Sequence, residues 1–405
     1  MKKWAEVALG IVTGIGGFLE IGSVATTAQA GAEFGVQLAW VLLVGTIGLA
    51  FLMEMSGRLA AVSKRTYVDQ LRERFGIRFF IAPMLAVFVV SLLVVASEIG
   101  GVCLALEMAT GIGARWWAFG VAFIGWLLLW RGTFAIVEQG TALIGLVSLA
   151  FLVAVIKLHP SWRGIGAAML PSAPSHDRAR YWYLAVSIMG ASISPYLAVF
   201  YSSGAIEDDW TPEYIGVNRV TSALGNVFGG GLAVMVLVCA AMVLAPRHIM
   251  ADSFAHLSYT LGTPLGRVGT GLFIATICAT CFGATMEIVL SMAYLLAQGF
   301  GWSWSANLKP VKDARFTVAW SVILVVAAAI IVAGADPLKL TNISMVATAA
   351  SLPLTIIPLV VLMNDRSVMS RYTNGWIGNV ALGVLTVISI VLFAVSIPLQ
   401  MLGGG

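Results

Sequence analysis

Charged and strongly polar positions are rare along this chain, and they divide it into eleven apolar runs, at residues 7–30, 36–60, 79–108, 115–131, 134–158, 182–206, 219–245, 265–298, 315–334, 339–363 and 374–402. Each reaches about 17–25 residues or more, the length a helix needs to cross the hydrocarbon of a bilayer. A helix satisfies its own backbone hydrogen bonds, so such runs predict membrane-spanning helices. The interval 246–264 reads as a short interfacial helix, and no soluble domain stands apart from the spans. The chain is therefore one transmembrane domain over 1–405, with a first five-span half at about 7–158, a second at about 182–363 and an extra helix at about 374–402.

Two of these runs break the apolar pattern in the same place. The first span carries an acid, Glu20, near its middle, with Gly17 before it and Gly22 and Ser23 after it. An acidic residue at bilayer depth costs about 2.5–3.5 kcal/mol on insertion scales, so it calls for a proton or a cation. The glycines predict that the helix unwinds beside it, at Gly22, which is tolerated at that depth only where backbone lines a cavity. The sixth span reads Gly190-Ala191-Ser192-Ile193-Ser194-Pro195-Tyr196. Pro195 has no amide to donate and its ring clashes with the preceding turn, which predicts a second break. Interrupted helices at matching positions of two halves are the sequence mark of an inverted-repeat transporter with its site at the membrane midplane.

Composition agrees with this pattern. Hydrophobic residues make up 60% of the chain and charged ones 10%, with a mean hydropathy of +0.95. A soluble fold of this size has no way to bury so much apolar surface. The formal charge of +4 sits mostly in loops, so it speaks to membrane orientation and excludes nucleic acid as a partner. Lys64, Arg65, Arg72, Arg74, Arg78, Lys309, Lys312, Arg366 and Arg371 fall in loops on one side, which places the N-terminus in the cytosol of, most simply, a bacterial inner membrane. The loop 157–181 is an exception, being basic on the other side. Cys278 and Cys281 form a CxxC in an apolar stretch without charged partners, and read as small buried side chains. No nucleophile–base constellation is present, so the chain is not read as an enzyme, and neither a cofactor nor an obligate protein partner is implied.

The motifs around the two breaks resemble those of the Nramp family of proton-coupled divalent-metal transporters, which have a leucine-transporter-like fold. In that family the first helix breaks at Asp-Pro-Gly-Asn before Phe-Ala-Thr and a Gln-Ala-Gly-Ala-x-Phe-Gly run. Here the frame is Glu20-Ile21-Gly22-Ser23-Val24-Ala25-Thr26, then Gln29-Ala30-Gly31-Ala32-Glu33-Phe34-Gly35. The family's Met-Pro-His is Ser194-Pro195-Tyr196, and Leu352-Pro353 with Ile357-Pro358-Leu359 matches its tenth span. The resemblance runs from about residue 10 to about 390. It implies an all-α membrane protein with eleven transmembrane helices, two inverted five-helix repeats plus one.

Carried over residue by residue, the resemblance implies a metal held by Glu20 in the Asp position, Ser23 in the Asn position, Ser194 in the Met position, and the carbonyls of Ala191 and Gly17. The thioether is replaced by a hydroxyl, so every expected ligand is oxygen. Such donors suit Mg²⁺ or Mn²⁺ over Fe²⁺ or Zn²⁺. Glu98 resembles the family's third-helix acid on the proton route, yet its companion acid is Val95 and the sixth-helix His is Tyr196, which puts proton coupling in doubt. Glu98 also reads as a structural acid between helices. Glu287, in the eighth span without a basic neighbour in sequence, either lines the cavity or contacts another helix. Glu54 and Arg58, four apart, form a helical ion pair. The expected function is alternating-access transport of a divalent cation across the lipid bilayer. Transport of a small organic amine or amino acid on the same fold is the alternative.

Overall fold

A computed structural model describes residues 19–403, whose regular elements are all helices with no strand among them. The helices are α1 (Ile21–Phe34), α2 (Ala39–Ser63), α3 (Tyr67–Phe75), α4 (Ile77–Thr110), α5 (Ala118–Arg131), α6 (Phe134–Gly145) and α7 (Ala150–Leu158). There follow α8 (Trp162–Ala167), α9 (Arg178–Ser192), α10 (Pro195–Glu207), α11 (Ile215–Val243) and α12 (Phe254–Phe300). The last are α13 (Ala314–Val332), α14 (Pro337–Ser351), α15 (Pro353–Asn364), α16 (Arg366–Met369) and α17 (Trp376–Gly403). Nine helical segments among the described residues are long and apolar enough to cross a membrane. The other two predicted spans correspond to α1 and α5, each of 14 residues; the first half of the first span, with Gly17, lies outside the described residues.

The interruptions have local causes. Between α9 and α10, Ile193 and Ser194 are extended (φ −125° and −101°), and Pro195 opens the next helix as its first residue. Its missing amide costs nothing there, because first-turn amides have no intrahelical partner. In α12, Pro264 precedes Gly266 at φ +66°, a left-handed conformation that favours glycine. The residues from Phe254 to this kink form the separate short helix expected ahead of the eighth span.

Packing makes α9 and α10 the centre. The apolar window of Arg178–Glu207 is wholly buried, against 28% for α17. On α17, Val380, Val384, Val387 and Val391 stay more than half exposed at helical spacing, the stripe a lipid-facing helix presents. Contacts come in matched pairs: α2 on α11, α4 on α12, α1 on α11 with α10 on α2, and α14 on α4 with α6 on α12. These are corresponding helices of the two halves. Small residues allow the closest crossings, as they do between membrane helices generally. A Cβ on Gly190 would lie 1.9 Å from the Met345 carbonyl oxygen, joining α9 to α14.

Polar ties define two ends. At one, Arg58 reaches Asn374 (2.6 Å), Arg72 the Gln298 carbonyl (2.5 Å), Arg74 pairs with Asp365 (3.1 Å), and the Phe134 amide donates to Asn307 (3.1 Å). Most loop basic residues gather at this basic end. Here too Arg58 forms the expected ion pair with Glu54 (2.9 Å). At the other end, Arg180 of α9 pairs with Glu33 of α1 at 2.8 Å, both largely buried.

Candidate cation site

Glu20 stands one residue ahead of α1, with extended backbone (φ −121°, ψ 173°). The described helix of the first span therefore begins just past Glu20, at Ile21. Gly22, expected at the break, is instead helical, the second residue of α1. Its lack of a side chain serves packing: a Cβ there would meet the Met345 sulfur at 2.4 Å. The position of Glu20 leaves the first-turn amides of α1 facing the break, the positive end of a helix.

Two acids lie beside that end, and one of them caps it. The Ile21 amide donates to Glu98 Oε2 of α4 at 3.3 Å, and the Gly22 amide and Cys281 thiol lie against the same carboxyl. Glu98 thus caps α1 from across the bundle. Glu20 Oε2 accepts the Tyr196 hydroxyl at 3.1 Å. Its Oε1, like Oε1 of Glu98, is buried without any hydrogen-bond partner. Leaving a buried polar atom unsatisfied costs about 1–3 kcal/mol, more when it is charged.

Oxygen dipoles from the second break complete the setting. In a continuous helix the Ala191 carbonyl would accept from the amide of residue 195, which as proline has none. The Ser194 hydroxyl turns back toward the Gly190 carbonyl at 3.4 Å, and a hydroxyl that donates keeps its lone pairs for another partner. Thr26 donates to the Gly22 carbonyl at 2.7 Å and Thr27 to that of Ser23. Ser291 of α12 holds the Tyr196 carbonyl at 2.7 Å, which fixes the first turn of α10. Glu20, Ser23, Ser194 and Tyr196 are each at most 3% exposed, so this conformation is closed around the site.

The structure therefore brings Glu20, Glu98 and Tyr196 together by hydrogen bonds, and α9 packs on α1 beside them. Glu287 is buried and within electrostatic reach of Glu20. Among the described residues, no three His, Cys, Asp or Glu side chains gather as a metal-ligand set. Sequence reasoning missed Met345, whose thioether from α14 rests on Gly22. It also missed the capping geometry of Glu98. The visible signal for the Met345 side chain was Gly22 alone, since Gly190 meets the Met345 main chain; the pairing itself is tertiary.

A central helix interrupted between α9 and α10 beside a buried acid at the start of α1, within paired halves, defines an integral membrane protein of the leucine-transporter-like fold. The chain belongs to the Nramp family: residues 10–398 match the family described as "Natural resistance-associated macrophage protein-like". The divalent metal cation transporter MntH of Deinococcus radiodurans is 25% identical over 382 residues, covering 89% of this chain and 84% of that protein. A manganese transporter of Eremococcus coleocola superposes with a TM-score of 0.78 at 18% identity, covering 99% of this chain and 88% of the other. Mhp1, a nucleobase-cation-symport-1 family transporter solved in a closed conformation, shares the fold at a TM-score of 0.63 and 15% identity, over 98% and 92% of the two chains.

Proposed function

We propose that this protein carries a divalent metal cation across the membrane by alternating access, with Mn²⁺ or Mg²⁺ ahead of Fe²⁺ or Zn²⁺. The observation that carries the reading is the unpartnered Oε1 of Glu20, buried at the start of α1 beside Tyr196 in the first turn of α10. A buried carboxylate oxygen with no hydrogen-bond donor is suited to meet a cation. Ser23, Ser194 and the Ala191 carbonyl are proposed as its oxygen partners, and Gly17 is a further backbone candidate. Carboxylate, hydroxyl and carbonyl donors favour hard cations, and a partly hydrated ion needs few of them. The family membership and the names of the relatives point the same way.

The membrane potential alone supplies about 4.6 kcal/mol per 100 mV for two inward-moving charges. Proton coupling is accordingly not required, and Glu98, tied to the amides of α1, acts as a cap more than as a relay. With the basic end cytosolic, as the positive-inside rule prefers, the chain sits in a bacterial inner membrane with its N-terminus inside. The transport cycle rocks α1, α9 and α10 with their partners α2 and α11 against the remaining helices. The test is uptake by proteoliposomes across Mn²⁺, Mg²⁺, Ca²⁺ and Zn²⁺, with internal pH recorded. Glu20→Gln should abolish uptake while the protein stays monodisperse; normal uptake by that variant refutes the site.

A further inference from the structure

Toward the basic end from the break, α10 packs on α12, which also carries α6, and the start of α6 reaches α10 through Phe134 and Phe200. On α12, Glu287, Ser291, Tyr294 and Gln298 recur at spacings of four, three and four, which places them on one face of the helix. All four are at most 2% exposed. The stripe runs along α10: Ser291 donates to the Tyr196 carbonyl (2.7 Å), Tyr294 to Glu207 (3.2 Å) and Gln298 to Ser203 (2.8 Å). Two members have capacity to spare. Gln298 Oε1 has no partner, and Glu287 makes no hydrogen bond among the described residues, its electrostatic neighbours being the carboxylates Glu138 and Glu20.

Glu138 comes from α6 and is half-buried. One turn before it, the Phe134 ring packs on Phe200 at 5.5 Å and fills the space beside Gly204. That contact turns this face of α6 onto α10, within reach of Tyr201 and of Asp208 at its end. Two acids from two different helices thus flank the half-helix that leads away from Glu20.

We propose that Glu287 and Glu138 form a second carboxylate site for the transported cation, inward of Glu20, and that the α12 stripe is the track by which the ion leaves toward the basic end. This rests on the transport reading above and extends it. A divalent ion released from the single charge of Glu20 would otherwise enter a low-dielectric interior, where its loss of hydration is costly. Two carboxylates offer it a new partner before it reaches water, and multi-site binding is what lets an ion both enter a membrane path and leave it. In the closed conformation the hydrogen bonds from Ser291, Tyr294 and Gln298 to α10 shut the track; moving α10 away frees the same groups as oxygen ligands.

The experiment uses the full chain in two assays: Mn²⁺ uptake by proteoliposomes and Mn²⁺ binding by electron paramagnetic resonance. Wild type should bind a second Mn²⁺ more weakly than the first. Glu138→Gln and Glu287→Gln should each slow initial uptake at least tenfold and lose the weaker ion, and Glu287→Asp should restore part of the rate. The tighter ion should survive both and vanish only in Glu20→Gln. Should Glu287→Gln fail to fold, Glu138→Gln at its half-buried position decides alone. Glutamine variants with wild-type uptake and an unchanged Mn²⁺ count overturn this inference alone, whereas a wild type that takes up no divalent cation overturns the transport reading itself.

Discussion

Replacing Gly190 by alanine tests how closely α9 and α14 are joined beside the site. The added Cβ would sit 1.9 Å from the Met345 carbonyl oxygen, 2.9 Å from its carbonyl carbon and 3.0 Å from the Ala349 nitrogen. Ordinary carbon–oxygen contacts begin at about 3.3 Å, so the two helices must separate by roughly 1.4 Å. Every atom in the way is backbone and has no rotamer to escape to. Overpacking typically costs about 1–3 kcal/mol, and this contact belongs at the upper end. Gly231, on a face of α11 with nothing within 4 Å of its added Cβ, is the control. There alanine should be neutral or stabilising by up to about 1 kcal/mol, from helix propensity alone. Thermal unfolding of the purified protein, followed by loss of the monodisperse peak, should show Gly190→Ala melting several degrees below Gly231→Ala. Uptake should fall as well, because α9 carries the Ala191 carbonyl. Equal melting of the two variants would refute the close crossing of α9 and α14.

Two further outcomes follow from the same geometry. Pro195→Ala restores an amide that can donate to the Ala191 carbonyl and extend α9 into α10; uptake should drop at least tenfold with circular dichroism unchanged, and wild-type transport would show that the broken helix is dispensable. Removing one partner of a buried ion pair costs about 3–5 kcal/mol, so Arg180→Met should markedly lower the melting temperature, while the double variant with Glu33→Gln should recover part of it; a single variant as stable as wild type would count against the α1–α9 tie.

The sequence by itself determined what a one-dimensional pattern can carry. Runs of apolar residues marked the spans, because a helix in lipid must be apolar over a fixed length whatever its neighbours. Pro195 marked the second break, because a missing amide is a covalent fact. The motif matches around Glu20 and Ser194 marked the family. Composition could not tell the enclosed pair α9 and α10 from lipid-facing α17, since lipid and protein interior are equally apolar and both select the same side chains. That α1 starts ahead of Gly22 was also out of reach, because glycine loosens a helix and fits a tight crossing equally well. Only the arrival of Met345 from α14 decided which role Gly22 has. Along the chain Glu98 was singled out by its motif and Glu287 only as an acid in an apolar run, while Glu138 drew no reading at all. Tertiary structure set one against the amides of α1 and turned the other two toward α10, because what a buried charge does depends on which dipoles and charges the fold brings within a few ångströms of it.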